Sequence, residues 1–500
     1  MKTKEVDVLI IAEGTYPYIR GGVSTWIHQI LTGMPDIRFG ILFLGSREED
    51  YGEIKYQLPP NLVFFETFYM FSKVGMPPKK ERSGSKEVER LLTFFTDNPD
   101  PELFNPSFYE KKVSFGDFLY SKETWFLMEE LYFRLNLDIP FVDFFWTIRN
   151  ILTPLWSIVK VLEKLEDVEV KLVHSPSTGY AGFVGAMIKK VYQVPFLITE
   201  HGIYTKERKI DIIASRWIKS VEGLFSSKFS IDPLRELWIR FFVNLGKICY
   251  MAADKVYSLF EGARQIQIEL GCPPEKTQVI PNGVDVHKLK QLRRNPDDGI
   301  PPIVALIGRV TPIKDIKTFI KAMRILVNRM PEAEGWIVGP EDENPDYAQE
   351  CRTLVSAMNL ENKVKFLGFK RLEEVLPHVG LVTLTSISEG MPMVVLEAFA
   401  AGVPCVTTDV GSCSQLIYGG LNEEDEAIGR AGEVVNVGDA IGLARAYEKL
   451  LKNKEEWTAC RKAAIERVES FYSMEAFLKN YREVYETFMG VGYGGGSHRT

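Results

Sequence analysis

The stretch SISEGMPMVVLEAFAAG, Ser386 to Gly402, decides how the second half of this chain folds. It follows the apolar run Leu381–Thr385, so Ser386 to Met391 reads as the turn beyond a strand's carboxyl end. Pro392 suits the first position of a helix, where its missing N–H would have no partner anyway. Gly402 suits a left-handed stop, and Pro404 blocks continuation. The spacing therefore predicts a helix from Pro392 to about Ala401, with Glu389 in the loop before it and Glu397 inside it.

Working outward, short apolar runs alternate with helical periodicity. Ile303–Gly308, Trp336–Gly339, Val364–Gly368, Leu381–Thr385 and Pro404–Thr408 read as buried strands in the second half. Val6–Ala12, Val170–His174, Pro195–Thr199 and Asp254–Phe260 read so in the first. Continuous apolar strands separated by helices specify a parallel, doubly wound α/β sheet. Two such Rossmann-like domains facing each other across a cleft are expected. The first covers 1–280 and carries an aromatic-rich, less regular insertion at about 47–167. The second covers 281–472. A final helix at 473–489 is expected to cross back to the first domain, and a flexible tail covers 490–500.

Composition bounds the setting. The chain has 500 residues, 45% apolar and 25% charged, with net charge -7. That balance is that of an ordinary soluble protein and gives no reason to expect nucleic acid. Val6–Ala12 is too short to span a membrane, and charges interrupt Pro140–Leu165, which reads as amphipathic helix. The six cysteines lack CxxC spacing and read as reduced thiols. A cytoplasmic location is expected, with peripheral contact at the inner membrane as a further option.

The chemistry-bearing motifs each follow a strand, at the edge where open α/β sheets hold ligands. A helix start at Gly390, Met391, Pro392 and Met393 favours an anion, above all phosphate. Glu389 and Glu397 would repel phosphate but can accept hydrogen bonds from hydroxyls. Acids on either side of an anion site suit a diphosphate with a sugar at each end, the form of a nucleotide sugar. GRVTPIKD places Arg309 and Lys314 five apart across a turn, where both can converge on a diphosphate. Gly21 and Gly22 allow a close ligand approach; they do not form GxGxxG. In TEHG, His201 stands at a cleft position, with Glu200, Tyr204 and Arg208 close by as acceptor contacts. His174 ends a strand and reads as a supporting residue. In PNGVD, Asn282 marks a tight turn at the domain junction, a hinge or substrate contact. No Asp-x-Asp pair occurs, and no His/Cys cluster suggests a metal. No cofactor and no metal are expected.

The set GGV, HG, GR…K and E-x7-E, in this order, resembles the GT-B glycosyltransferases of family 4. EGTYPYIRGGVSTW and TEHGIYTKER resemble the PelF branch, which assembles an exopolysaccharide. The resemblance implies a retaining transferase that uses a UDP-sugar (UDP-glucose, UDP-GlcNAc or UDP-GalNAc) and a polysaccharide acceptor, within an inner-membrane export and synthase complex. It implies that Arg309 and Lys314 hold the diphosphate and Glu397 the ribose hydroxyls. Glu389 and the Gly390–Met393 amides would hold donor sugar and phosphate, His201 would contact the donor sugar, and Gly21 and Gly22 would let the donor approach. A UDP-sugar epimerase of the same architecture, or a non-catalytic nucleotide-sugar-binding subunit, fits the same motifs.

Overall fold

The computed structural model describes residues 4–71, 85–96, 98–135, 139–215, 232–295 and 298–490. The chain divides into two compact units: residues 1–258, 264–278 and 481–500 form the first, and 259–263 with 279–480 form the second. Each has its own sheet and core.

The first sheet has seven strands in the order β3-β2-β1-β4-β5-β6-β7. They are β1 Lys4–Glu13, β2 Phe39–Gly45, β3 Leu62–Tyr69, β4 Val168–Ser175, β5 Phe196–Glu200, β6 Lys255–Ser258 and β7 Thr277–Val279. Pairing is parallel from β3 through β6. Val8 to Ala12 of β1 are fully buried, as a strand covered on both faces must be.

The region expected to be irregular from 47 is regular over much of its length. β3 lies inside it and extends the sheet, and helices Ser85–Leu92, Phe115–Tyr120, Lys122–Leu135 and Phe141–Leu152 follow. Their apolar sides join the same core as the sheet helices: Phe94, Phe95, Leu103 and Phe108 cluster with Val173, Phe183 and Phe241. Polar tethers fix the junction. Trp156 Nε1 donates to the Val113 carbonyl at 2.8 Å, and Asn244 Nδ2 donates to the Phe94 and Thr96 carbonyls at 2.9 and 2.6 Å. One side stays uncovered: Phe126, Phe133 and Trp146 are 64%, 75% and 53% exposed.

The second sheet has the order β10-β9-β8-β11-β12-β13 and is parallel throughout. Its strands are β8 Ile303–Ile307, β9 Glu334–Val338, β10 Val364–Gly368, β11 Leu381–Leu384, β12 Cys405–Thr408 and β13 Gly432–Val435. Alternate residues of β8 feed opposite cores: Val304 and Leu306 pack on one face, Ala305 on the other. Residues 259–263 group with this unit because Leu259 packs in its core and the Glu261 N–H donates to Gln415 Oε1 at 3.1 Å.

The last helix, Met474–Gly490, contributes to both units. Its start is pinned in the second unit, where Val284 N–H donates to the Tyr472 carbonyl and Met474 N–H to the Val284 carbonyl, both at 2.9 Å. Its later residues belong to the first, where Tyr485 and Tyr481 hydroxyls bond His174 and Thr199 at 2.9 and 3.1 Å. The flexible tail expected from 490 lies, from residue 491, outside the described residues. Among the described residues, no helix is long and apolar enough to cross a membrane. All six cysteines are buried and free.

One charged pair sits wholly inside the second unit. Arg467 Nε donates to Asp425 Oδ1 at 2.6 Å with both side chains 0% exposed. The rest of the guanidinium donates to the carbonyls of Leu416, Ile417, Asp425 and Gly429. Removing one member of such a pair strands the other in low dielectric, at a cost of about 3–5 kcal/mol. Arg467→Met should therefore lower stability by about that amount in urea titration; a loss below about 1 kcal/mol would show that the pair is not a structural anchor.

Candidate active site

In the second unit the helix of the opening stretch runs Met393–Ala400, with Pro392 just before it in an extended conformation. Gly402 has φ +71° and its N–H donates to the Phe399 carbonyl at 2.9 Å. Pro392 thus precedes the helix rather than opening it. The first N–H groups of the helix have no carbonyl one turn back to bond. They lie beside the loop that carries Glu389.

Two loops are stitched together at this point. Thr385 Oγ1 donates to the Lys314 carbonyl at 2.7 Å and the Asp315 carbonyl at 3.1 Å. Ile387 N–H donates to the Ile313 carbonyl at 2.8 Å. The loop after β8 is thereby held against the loop after β11. A third loop closes in behind: Ser412 N–H donates to the Gly390 carbonyl at 2.9 Å. Gly411, at φ +55°, lies so close that a Cβ would strike the Gly390 and Glu389 carbonyl oxygens. Only glycine fits there.

The stitching brings Lys314 Nζ to 2.5 Å from Glu389 Oε1, and Ser386 Oγ donates to the same oxygen at 2.6 Å. Lys314 was expected on a diphosphate and Glu389 on a sugar; without ligand they pair with each other. Their side chains are 19% and 15% exposed, so the pair is screened less than one at the surface. Arg309 pairs with Glu343 at 2.5 Å, both at least half exposed. Such a surface pair is worth about 0–1 kcal/mol and exchanges readily for a bidentate anion.

Arg309 and Glu397 share a cavity of about 610 Å3 at the ends of β8, β9 and β10, lined also by Gly308, Gly339, Lys288 and Arg371. Burial pushes the Glu397 carboxyl up to about 6, and Lys288 opposes the shift. Lys314 reaches toward this edge along Gly308: its Cε lies 3.5 Å from where a Gly308 Cβ would stand. A half-protonated acid thus faces three cations, a setting that accepts hydroxyls at one end and phosphate at the other. Sequence reading missed Lys288, Arg371 and Gly411. No signal marks them, because they come from turns far apart in the chain.

In the first unit, Gly21 and Gly22 are exposed and a Cβ on either would meet nothing within 4 Å. Packing within the protein therefore does not demand glycine there. His201 packs edge-on against Trp26 at 4.8 Å between ring centroids. Its buried Nε2 has no hydrogen-bond partner, and burial lowers its pKa to about 3, so the ring is neutral at pH 7. His174 is fully buried between Tyr485 and Thr199, a supporting position.

Glu200 does not serve as an acceptor contact. It is 1% exposed, and Thr178, Tyr250 and Gln267 saturate its carboxylate at 2.6–3.0 Å. Tyr204 and Arg208 do line a cavity, of about 670 Å3, and its buried acid is Glu13. Tyr204 Oη donates to Glu13 Oε1 at 3.0 Å, and Arg208 stacks over the Tyr204 ring at 5.0 Å. Glu13 was missed, although an acid at the carboxyl end of the first strand is a readable signal. Asn282 is part of the turn clasped by the last helix: a Cβ on Gly283 would lie 2.6 Å from Phe477. Its Oδ1 is buried without a hydrogen-bond partner. Among the described residues, no three His, Cys, Asp or Glu side chains gather as a metal-holding group.

Comparison with known proteins places both units. Residues 6–275 match the family described as a domain of unknown function, DUF3492, and residues 288–467 match Glycosyl transferases group 1. The chain is 26% identical over 314 residues to the UDP-Gal:alpha-D-GlcNAc-diphosphoundecaprenol alpha-1,3-galactosyltransferase of Escherichia coli, covering 60% of this chain and 70% of that one. It is 24% identical over 343 residues to the amylovoran biosynthesis glycosyltransferase AmsK of Erwinia amylovora, covering 66% and 73%. In fold it is similar to HepE of Anabaena, solved with UDP: TM-score 0.59, 16% identity, 96% of this chain and 99% of that one. The chain therefore belongs to the DUF3492 family, carries a group 1 glycosyl transferase domain after it, and is a glycosyltransferase of the GT-B fold.

Proposed function

We propose that the protein is a retaining transferase that moves a hexose or N-acetylhexosamine from a UDP-sugar to a growing exopolysaccharide of the Pel type, without a metal ion. The observation that carries the donor half is the cavity shared by Arg309 and Glu397, with Lys314 and the helix start at its edge. The E. coli relative named for a UDP-sugar and the UDP held by HepE support the same donor class. The polymer half rests on EGTYPYIRGGVSTW and TEHGIYTKER.

In this reading Arg309 leaves Glu343 for the diphosphate, and Lys314 shares its charge between Glu389 and the β-phosphate. Glu397 accepts the ribose hydroxyls. Glu389 and the amides of Gly390, Met391 and Met393 hold the donor sugar and phosphate, Pro392 having no N–H to give. His201, Gly21 and Gly22 act on the donor sugar as part of the same proposal. The acceptor oxygen bonds to the anomeric carbon as its bond to the β-phosphate oxygen breaks. The hydroxyl proton passes to that departing oxygen on the same face. Stabilising the leaving diphosphate is then the protein's main contribution.

Lys314→Ala should cut turnover about a hundredfold with the fold intact, the scale of losing one preorganised charge donor. Wild-type turnover should survive a chelator. Normal turnover in the variant, or activity abolished by chelation and restored by magnesium, overturns the scheme. Product analysis without acceptor separates transfer from epimerisation.

Glu397 has a folded pKa near 6 against an ordinary 4.5. Its buried charge therefore costs stability that grows as pH rises through that interval, reaching roughly 2 kcal/mol at neutral pH. Glu397→Gln should be more stable than wild type at pH 7 and equal near pH 4. Affinity for UDP-glucose, whose phosphates do not titrate near 6, should rise with pH through that value and become flat in the variant. Calorimetry at several pH values reads both; unchanged affinity in the variant removes the ribose role.

We also propose recruitment to an inner-membrane synthase complex, supported by the exposed rings of Phe126, Phe133 and Trp146. Replacing Phe126 and Phe133 by Ser should move the enzyme out of the membrane fraction of its cells. Unchanged sedimentation with membranes would assign that face another role.

A further inference from the structure

The cavity of the first unit measures about 670 Å3, the size of a small-molecule site. It opens at the carboxyl ends of β1 to β4, the edge where open α/β sheets hold ligands. Its walls have two characters. Phe71, Trp238 and Phe242 offer ring surfaces, while Glu13, Ser46 and Ser177 offer polar groups. Glu13 accepts one hydrogen bond on each oxygen, from the Ala181 N–H and the Tyr204 hydroxyl, both at 3.0 Å. A carboxylate has about four lone-pair sites, so both oxygens keep capacity for a ligand. Tyr204 is itself fixed, because its ring fills the space over Gly179, where φ is +74°.

Ring surfaces beside a hydroxyl-accepting carboxylate match a pyranose, which has C–H faces and a polar edge. Charge narrows the class further. The carboxylates of Glu13, Glu207 and Asp211 line the cavity against one guanidinium, Arg208. Arg208 is already engaged, 3.5 Å from Asp211 and stacked on Tyr204. A phosphate entering here would meet more negative charge than positive.

We infer that this cavity seats the acceptor, and that the moiety it takes is an uncharged saccharide rather than a phosphate-bearing head group, with the Glu13 carboxylate and the Phe71 ring as its contacts. The inference rests on the glycosyltransferase function and names the acceptor class; it is independent of which residues hold the donor.

The test uses the full-length protein. Neutral oligosaccharides of glucose, galactose and N-acetylhexosamines are titrated by calorimetry beside the same saccharides bearing a 1-phosphate. UDP is titrated in parallel. Neutral saccharides should bind, and the phosphorylated ones about tenfold more weakly or worse. Glu13→Gln and Phe71→Ala should each lower neutral-saccharide affinity about tenfold and leave UDP affinity unchanged, which also reports an intact fold. Phe71 is half exposed, so its variant survives even if Glu13→Gln does not fold. The inference is overturned if phosphorylated saccharides bind as well or better, if neither class binds, or if folded variants bind like wild type. A wild type that fails to bind UDP strikes the donor reading instead, and the saccharide titrations tell the two failures apart.

Discussion

The Thr385 hydroxyl, donating to the carbonyls of Lys314 and Asp315, is the contact on which the donor site depends. It joins a loop after β8 to a loop after β11, strands that neighbour in the sheet but lie about seventy residues apart in the chain. With the loops joined, the Lys314 ammonium and the Glu389 carboxylate meet at low exposure. Gly411 then seals the arrangement from behind, since any side chain there would push Glu389 and Gly390 away. A parallel sheet makes such convergence natural, because every strand ends at the same edge.

The charges at this edge form a graded set. Arg309 and Glu343 sit in water and hold each other weakly; Lys314 and Glu389 are half-sheltered and hold each other more firmly. Arg467 and Asp425 are sealed and serve stability alone. A ligand anion can displace the first pair, share the second, and never reach the third. Burial therefore sorts identical residue types into recognition, chemistry and architecture.

The first unit repeats the lesson with acids. Glu13 and Glu200 end neighbouring parts of one sheet, and desolvation raises the pKa of both. Glu200 is saturated by three donors and closed to solvent, so it braces the core. Glu13 has one donor per oxygen and a cavity before it. TEHG drew attention to Glu200 because it adjoins His201 in sequence, yet adjacency along a strand alternates sides. The side chain next to a functional histidine points the other way.

The fold was legible because short apolar runs between helical periods leave a parallel sheet as the economical burial. GRVTPIKD and SISEGMPMVVLEAFAAG announced their places, since a loop after a strand and a helix start have local causes. The 47–167 region hid its strand, because β3 carries aromatic residues without a clear period and pairs only through β2. Sequence by itself determined which loops bear the chemistry, since that follows from strand ends and helix starts a few residues long. Only the tertiary structure decided which partners those side chains meet, that Lys314 takes Glu389, that Glu397 is raised toward 6, and that Glu13 rather than Glu200 faces a cavity. Those outcomes depend on burial and on approaches between residues tens to hundreds of positions apart, which no local pattern encodes.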